Sequence, residues 1–304
     1  MELYQLRSFV AVAEAGHLTR AAEKLHVSQP AVSAQIKALE DELELTLFER
    51  TSSGMVLTSA GERLLADAEK VLAAAQVLRN EAKALKGEVA GKVRVGTMSD
   101  PGFIRVGEFL NTTVERFPLL QVELHHEITG AAFAKVRDGE LDASFYYGEL
   151  DHPGVDGLRL RGMSYRVAAP AAWSGRVVDA DWSEIAQQPW IITPSISTHH
   201  KLVRALFDKH GIEPTKVVEA DQESVIANLV VSGVGLSLIR EELALEKEAA
   251  GEICVWQDVR LDTTLWFIYL IARKDDPVIR ALLGVLRDTW KLAEVPEQKM
   301  RQRS

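Results

Sequence analysis

Amide, hydroxyl and ammonium side chains follow one another at helical spacing near the start of the chain. Gln29, Ser33, Gln35 and Lys37 take outward-facing or flanking positions, while the apolar residues of 32–43 recur every three or four residues and face inward. Glutamine can pair with adenine in the major groove, serine reaches a base edge or a phosphate, and lysine reaches guanine or a phosphate. The pattern therefore predicts hydrogen bonding to base edges of duplex DNA.

Two helices around a tight turn must present these side chains, and residues 18–47 have that pattern. Thr19 is the predicted cap of the first helix, and His26-Val27 forms the turn. Ser28 is the predicted cap of the second helix, with Pro30 in its first turn, where the missing N–H removes no hydrogen bond. A short helix, a turn and a helix with a polar outer face are typical of helix-turn-helix DNA recognition.

The flanking segments complete a small winged domain. The amphipathic helix 3–15 should pack beneath the two helices, and two extended runs around the turn 51–54 predict a hairpin that forms the wing. Arg50 stands beside that turn, where it can contact sugar-phosphate or form a salt bridge with a nearby acid. The residues expected to contact DNA are Arg20, Ser28, Gln29, Pro30, Ser33, Gln35, Lys37 and Arg50.

Several short motifs over the first sixty residues share their order and spacing with a known family. They are Leu6–Phe9, Thr19–Ala22, Val27–Ser33, Ile36, Leu39, Glu40, Leu47–Arg50 and Leu57–Gly61. This region resembles the N-terminal half of LysR-type transcriptional regulators, which implies an all-α winged helix-turn-helix followed by a long dimerisation helix. Two positions depart from the family pattern, since Ala34 replaces an often polar or basic residue and Glu44 replaces a common helix-ending glycine.

Total charge and composition bound the function only loosely. The 304 residues carry 35 Lys or Arg and 44 Asp or Glu, a net charge of −9, and residues 1–58 hold five basic and eight acidic side chains. The DNA prediction therefore rests on the motif, because phosphate binding needs local positive charge and not a positive total. The polar start is unlike a signal peptide and no apolar run could span a bilayer, so a cytoplasmic protein is expected. A single cysteine, Cys254, excludes an intramolecular disulfide.

A long helix is predicted over residues 59–85, which contain almost no helix breaker. Large apolar residues recur in it every seven positions, and an alanine follows four positions after each of the first three. Such a heptad seam favours pairing with a second copy, because small residues let two helices approach closely. The seam residues are Leu64, Ala68, Val71, Ala75, Leu78, Ala82 and Leu85. Two-fold pairing would place two recognition helices on an inverted-repeat DNA site.

From residue 92 onward, strands alternate with helices, which indicates parallel α/β sheets in two subdomains. The runs Gly139–Ala143 and Val230–Leu236 resemble the effector domain of LysR-type regulators. That resemblance implies a periplasmic-binding-protein-like fold whose chain crosses between the halves near 162–166 and 264–269. The expected domains are the winged head 1–58, the dimerisation helix and hinge 59–91, the effector domain 92–292 and a polar tail 293–304. Subdomain I would hold about 92–162 and 269–292, and subdomain II about 163–268.

Hydroxyls collect at the ends of the predicted strands, where ligands of open α/β sheets bind beside helix N-termini. Hydroxyls and helix N-termini suit a small anion, with a carboxylate as the leading candidate, and His199 or Lys201 can add positive charge. A Ser or Thr at a helix start is also commonly only its cap. The residues expected to bind this effector are Thr97, Ser99, Thr129, Tyr147, Thr193, Ser195, Ser197 and His199.

Three functions fit these patterns: an effector-controlled DNA-binding regulator, an enzyme that uses the α/β cleft, and an architectural dimer whose second half is scaffold. The sequence contains no G-x-S-x-G, P-loop or H-E-x-x-H motif, which argues against an enzyme. No cofactor or metal is expected, since His125 and His126 lie on opposite faces of a strand. The expected partners are inverted-repeat duplex DNA, a small carboxylate effector, further copies in a homodimer or homotetramer, and RNA polymerase.

Overall fold

The computed structural model of the protein describes residues 1–51, 54–85, 89–98 and 100–293. The chain divides into two compact units at residues 87 and 88. Within the described ranges, none of the helices combines the length and the apolar character needed to cross a bilayer.

The first unit is a winged helix-turn-helix head extended by one long helix. Its core joins Leu6 and Phe9 to Val32, Ile36 and Leu39, all at most 4% exposed. The elements are α1 (Leu3–Ala15), α2 (Leu18–Leu25), α3 (Gln29–Leu43), β1 (Phe48–Thr51), β2 (Gly54–Leu57) and α4 (Ser59–Ala84). β1 and β2 pair antiparallel as the wing, and the turn residues Ser52 and Ser53 lie outside the described residues.

The caps of the two recognition elements differ partly from expectation. Ser28 caps α3 as predicted, since its Oγ accepts a hydrogen bond from the Ala31 N–H at 3.3 Å. Thr19 does not cap α2, because that helix begins at Leu18 and its N-cap is His17. Thr19 therefore lies in the first turn of the helix. Glu44 terminates α3 in the left-handed conformation, with φ of 55°, and its N–H bonds to the Glu40 carbonyl. The helix therefore ends where a glycine is common, but with a side chain at the strained position.

The heptad seam on α4 is split between two environments. Leu64 and Ala68 pack into the core of their own head, and Ala68 is only 5% exposed. These two residues therefore contribute to the head of their own chain, and their place in a dimer interface stays a prediction. Further along, Leu78 is 71% and Leu85 87% exposed. The remaining seam residues, Val71, Ala75 and Ala82, are half-buried or exposed.

The second unit is built on one mixed six-stranded sheet with a smaller two-stranded sheet beside it. The strand order in the large sheet is β4-β3-β5-β10-β6-β9, and β7 pairs with β8. Their bounds are β3 (Gly91–Thr97), β4 (Leu120–His126), β5 (Ala143–Tyr147), β6 (Val155–Pro170), β7 (Pro189–Ile192), β8 (Thr215–Glu219), β9 (Ser237–Arg240) and β10 (Ile253–Leu270). An isolated parallel bridge between Trp190 and Leu236 connects the small sheet to the β9 edge.

Helices cover these sheets. They are α5 (Val106–Arg116), α6 (Thr129–Arg137), α7 (Ser174–Val177), α8 (Trp182–Gln187), α9 (Thr198–Asp208), α10 (Glu223–Val231), α11 (Glu241–Ala249) and α12 (Pro277–Trp290). The parallel pairs β3–β4, β3–β5 and β7–β8 follow the predicted α/β pattern.

β6 and β10 hold 16 and 18 residues and are longer than the strands that the sequence predicts at 165–169 and 263–272. They run antiparallel to each other over most of their length. Residues 265–269 of β10 pair with β5, whereas residues 165–168 of β6 pair with β9. The two long strands therefore carry the chain between the two halves of the unit, and the expected crossings fall within them. Parallel pairing alone is the wrong expectation here, since both crossing strands pair antiparallel.

A buried ion network ties the start of the unit to its closing helix. Asp142 pairs with Arg273, which also binds Asp276 at 2.6 Å, and Asp276 caps α12 through the Val278 N–H at 2.9 Å. Burial by itself would raise the pKa of Asp142, but Arg273 and Arg94 outweigh it and hold that pKa below its usual value. Asp142 belongs to the Gly139–Ala143 run, so this motif residue stabilises the fold.

Candidate nucleic-acid interface and ligand cavity

The outer surface of the head brings together side chains from α3 and the wing. Ser33 and Lys37 of α3 line one groove with Arg50 of β1, and Glu40 and Glu44 line the same groove. The three polar or basic groups stand where a helix laid in the major groove would meet bases and phosphates. The acids of the same groove would lie close to phosphates and oppose binding there.

The remaining residues expected at DNA occupy different situations. Ser28, Gln29 and Pro30 are exposed at the start of α3, and Arg20 is exposed on α2. Gln35 instead accepts a hydrogen bond from the Ser8 hydroxyl on α1, which is buried. We assign Gln35 to packing of the head, because a side chain held against α1 is not free to read a base.

Five of the eight residues expected at the effector line a single small cavity of about 70 Å³ in the second unit. They come from separate elements: Thr129 begins α6, Tyr147 ends β5, Thr193 follows β7, and Ser197 and His199 flank the start of α9. The carboxyl ends of two strands, β5 and β7, and the N-termini of two helices, α6 and α9, therefore converge, which is the usual ligand site of α/β sheets.

Three expected residues do not join this cavity. Thr97 ends β3 with its hydroxyl buried and without a hydrogen-bond partner in the described part of the chain, but it is not among the lining residues. Ser195 is exposed in the loop before α9. Ser99 lies outside the described residues.

The serine and threonine hydroxyls of the cavity are already engaged in hydrogen bonds. Ser197 caps α9 by accepting from the His200 N–H at 3.0 Å and also contacts the Thr193 hydroxyl. Thr129 accepts a hydrogen bond from the Thr198 N–H at 2.7 Å, which links α6 to α9. Ser197 thus has the helix-cap role expected for such residues. Thr129 accepts a backbone N–H at the start of α9, a helix on the other side of the cavity.

His199 does not supply positive charge. Its pKa is lowered from 6.5 to about 4. Burial is the main cause and the neighbouring His200 adds to it, whereas the bond to the Leu238 carbonyl opposes them. Its Nε2 lies 2.9 Å from that carbonyl and its Nδ1 lies 3.3 Å from Thr193 Oγ1. The ring is therefore neutral at physiological pH, with Nε2 donating to Leu238. Lys201, the other expected cation, lines a different groove.

Sequence analysis missed the carboxylates that line the same cavity. They are Asp100, Glu127, Asp221 and Glu223. Each lies next to a strand end or helix start that the pattern of strands had located, so the carboxyl-end rule points to them. They were missed because only hydroxyls were sought at those positions.

A buried arginine connects two of these acids across the cavity. Arg240 of β9 pairs with Asp100 and, at 3.6 Å, with Glu223, and its backbone N–H donates to Glu223 at 3.1 Å. Its guanidinium also lies 3.7 Å from the ring centroid of Phe103, a cation–π contact. The arginine side chain is only 8% exposed, so it joins the loop after β3 to β9 within the interior. Among the described residues, no group of His, Cys, Asp and Glu is arranged to hold a metal ion.

Comparison with known proteins gives a match for each of the two units. Residues 3–62 match the family model of the bacterial regulatory helix-turn-helix protein, lysR family. Residues 86–291 match the LysR substrate binding domain. The chain is 31% identical over 247 residues to the HTH-type transcriptional regulator BenM of Acinetobacter baylyi, covering 79% of this chain and 80% of that protein.

Two further relatives extend over nearly the whole chain. The regulator YofA of Bacillus subtilis is 28% identical, covering 90% of this chain and 93% of its own. A structure of full-length OxyR from Pseudomonas aeruginosa, solved as a point variant, is 27% identical with a TM-score of 0.66, covering 100% of this chain and 99% of that one. The helix-turn-helix head and the α/β domain thus occur together in known regulators that are not enzymes. The chain belongs to the LysR family of DNA-binding transcriptional regulators.

Proposed function

We propose that this regulator binds a small organic effector in the cavity lined by Thr129, Tyr147, Thr193, Ser197 and His199, and that binding changes its interaction with promoter DNA. The convergence of these residues from both halves of the second unit carries the proposal. Effector binding would act on the Thr129–Thr198 bond and the Arg240 cluster, which link the two halves. A switch of this kind needs a coupling free energy of about 1 to 3 kcal/mol between effector and DNA.

The charges around the cavity act in two directions on the charge of the effector. An anion, and a carboxylate in particular, is supported by the N-termini of α6 and α9, whose partial positive charge favours negative groups. The four acidic side chains of the cavity oppose a simple anion. A carboxylate is therefore proposed only as one part of the effector.

On the DNA side, we infer that Gln29 and Ser33 contact bases, and that Arg20, Lys37 and Arg50 contact phosphates. Two copies joined through α4 would present two recognition helices to an inverted repeat. RNA polymerase is the proposed further partner at the promoter.

Binding of the full-length protein to DNA from its own upstream region tests this proposal. Gln29→Ala and Ser33→Ala should each weaken specific binding by about 1 to 3 kcal/mol if they contact bases. Gln187→Ala, an exposed glutamine of α8, is the matched control and should leave binding unchanged. Equal losses on random DNA would show that Gln29 and Ser33 contact only the backbone.

The effector part of the proposal is tested separately by a ligand screen. Candidate ligands are added to the wild-type protein and to Thr193→Val while the melting temperature and the affinity for DNA are followed. The proposal expects at least one ligand to shift both in the wild type and to lose its effect in Thr193→Val. Intact DNA binding with no response to any ligand would instead favour an architectural role.

A further inference from the structure

The cavity of the second unit has an unusual charge balance for a site expected to hold an anion. Asp100, Glu127, Asp221 and Glu223 line it, and no Lys or Arg is among the described lining residues. In the part of the chain that the structure describes, the cations paired with these acids are Lys135, which contacts Glu127, and Arg240, which contacts Asp100 and Glu223. Four negative charges thus meet two positive ones, and His199 contributes none.

Asp221 and Glu223 carry the charge that remains unbalanced. Asp221 forms no ion pair with any described residue. The carboxylate of Glu223 accepts the Arg240 backbone N–H at 3.1 Å and lies 3.6 Å from the Arg240 guanidinium. Burial raises the pKa of Glu223, and repulsion from Asp100 adds to this, although Arg240 opposes it. A positive group placed beside Glu223 would relieve that unfavourable ionisation.

A tyrosine hydroxyl that lines the same cavity also lacks a hydrogen-bond partner among the described residues. Tyr165 lines the cavity and is only 8% exposed, and its hydroxyl forms no hydrogen bond with a residue that the structure describes. Its ring instead meets His199 edge to face at 5.8 Å. A ligand in the cavity that donates N–H groups would satisfy the oxygen of this hydroxyl.

The size of the cavity limits what can fill it. Its volume of about 70 Å³ lies well below the roughly 300–1,000 Å³ that encloses a drug-sized ligand. It accommodates a small head group, while the rest of an effector would extend to the mouth, where Asp221 is exposed. A protonated amine is compact, carries up to three N–H donors and suits carboxylate and phenol acceptors.

We propose that the effector of this protein carries a protonated amine that is received by Asp221, Glu223 and the hydroxyl of Tyr165. The inference rests on the proposed function and specifies the ligand class of the same cavity, namely small amines and amino acids. An amino acid would also use the anion-favouring N-termini of α6 and α9 for its carboxylate.

The test is calorimetric titration of the full-length protein with matched probes: butylamine, its carboxylate counterpart butyrate, and the zwitterions L-alanine and γ-aminobutyrate. We expect the amine-bearing probes to bind and butyrate not to bind at concentrations on the order of 10 mM, where fragment-sized ligands are measurable. Asp221→Asn and Glu223→Gln should each weaken amine binding about ten- to a hundredfold, since each removes a charge-assisted hydrogen bond. Glu246→Gln, an exposed carboxylate of α11 outside the cavity, should leave binding unchanged.

Failure of the inference differs from failure of the proposed function. Binding of butyrate but of none of the three amines, with a loss in Thr193→Val, would overturn the amine and keep the cavity as the effector site. Amine binding that is unaffected by Asp221→Asn and Glu223→Gln would overturn the inference by placing the amine elsewhere. Absence of binding by all four probes would also overturn it, while the DNA response in a wider ligand screen still tests the proposed function.

Discussion

The end of the recognition helix depends on one residue in a conformation that glycine tolerates better. Glu44 holds φ of 55° at the C-cap of α3, and its carboxylate adds negative charge where the helix dipole and DNA both disfavour it. The glutamate at this position, where the family commonly has glycine, therefore costs stability, although the helix still ends there.

Glu44→Gly should raise the free energy of unfolding by about 0.5 to 1 kcal/mol, because glycine adopts the left-handed region without strain. Ala38→Gly, an exposed position in the middle of the same helix, is the control and should lower it by about 1 kcal/mol. Chemical denaturation of both variants measures the effect. A loss of stability in Glu44→Gly would show that the glutamate makes a compensating contact.

The neutral His199 ring makes stability depend on pH. In the unfolded chain this histidine takes up a proton near pH 6.5, whereas in the folded protein it does so only near pH 4. The unfolded state therefore binds more protons between these values, and stability should fall by up to about 3 kcal/mol as the pH drops through that window. Denaturation between pH 7 and pH 4 should show a smaller fall for His199→Gln. Equal slopes in the wild type and in His199→Gln would contradict the assignment.

Residue types at strand ends could be predicted from sequence, but their partners could not. The hydroxyls Thr129, Thr193 and Ser197 were found because strand ends and helix starts can be located by periodicity. Gln35 was misassigned because its bond to Ser8 joins positions 27 residues apart, and no local pattern reveals such a contact. The charge of His199 was misjudged for the same reason, since its burial depends on the packing of distant elements.

At the scale of elements, a glycine allows a close approach between α6 and the loop before α9. A Cβ on Gly130, near the start of α6, would lie 1.9 Å from the Ile196 carbonyl oxygen. This approach allows the neighbouring Thr129 to accept the Thr198 N–H. The contact between α6 and the loop before α9 therefore depends on the absence of a Cβ at Gly130.

Gly130→Ala should destabilise the protein by about 1 to 3 kcal/mol, because the helix and the loop before α9 must separate to admit the methyl group. Gly284→Ala makes the same substitution within helix α12, where nothing lies within 4 Å, and should stabilise by about 0.5 to 1 kcal/mol. Thermal or chemical denaturation distinguishes the two. Similar gains in both variants would mean that the α6 contact is not tight in solution.

The long strands β6 and β10 show where element prediction from sequence stopped. Only one end of each was predicted, because buried and exposed residues do not alternate regularly along a strand such as β6. The helix α11 was not predicted at all. Its apolar periodicity is weak, because Ala244 is the only residue of this helix that is buried. Apolar periodicity in the sequence locates helices and strands that bury one face and expose the other. β6, β10 and α11 are not covered in this way.

At the scale of the whole molecule, α4 leaves apolar surface that its own chain does not cover. Leu78 and Leu85 are largely exposed, whereas Leu64 and Ala68 are used in the head. We therefore place the proposed pairing of two copies on the second half of the helix. The heptad pattern alone could not separate these roles, because one periodicity served both.

Leu78→Glu should disrupt that pairing, because it puts two like charges into an apolar seam, while the fold of the protomer should change by no more than about 0.5 kcal/mol. Ala66→Glu adds the same charge on another exposed face of α4 and is the control. Analytical ultracentrifugation measures the oligomeric state of each. An unchanged assembly in Leu78→Glu would rule out the second half of α4 as the interface.

The small volume of the cavity has a kinetic consequence. An organic molecule of which more than a head group must lie inside the cavity would fit only after α6 and α9 part, which would break the hydrogen bond between Thr129 and Thr198. Opening then precedes capture, so the observed rate of association should level off as ligand concentration rises instead of growing in proportion. At high effector concentration, the speed of the response would thus be set by the rate at which the cavity opens and not by the concentration of the effector.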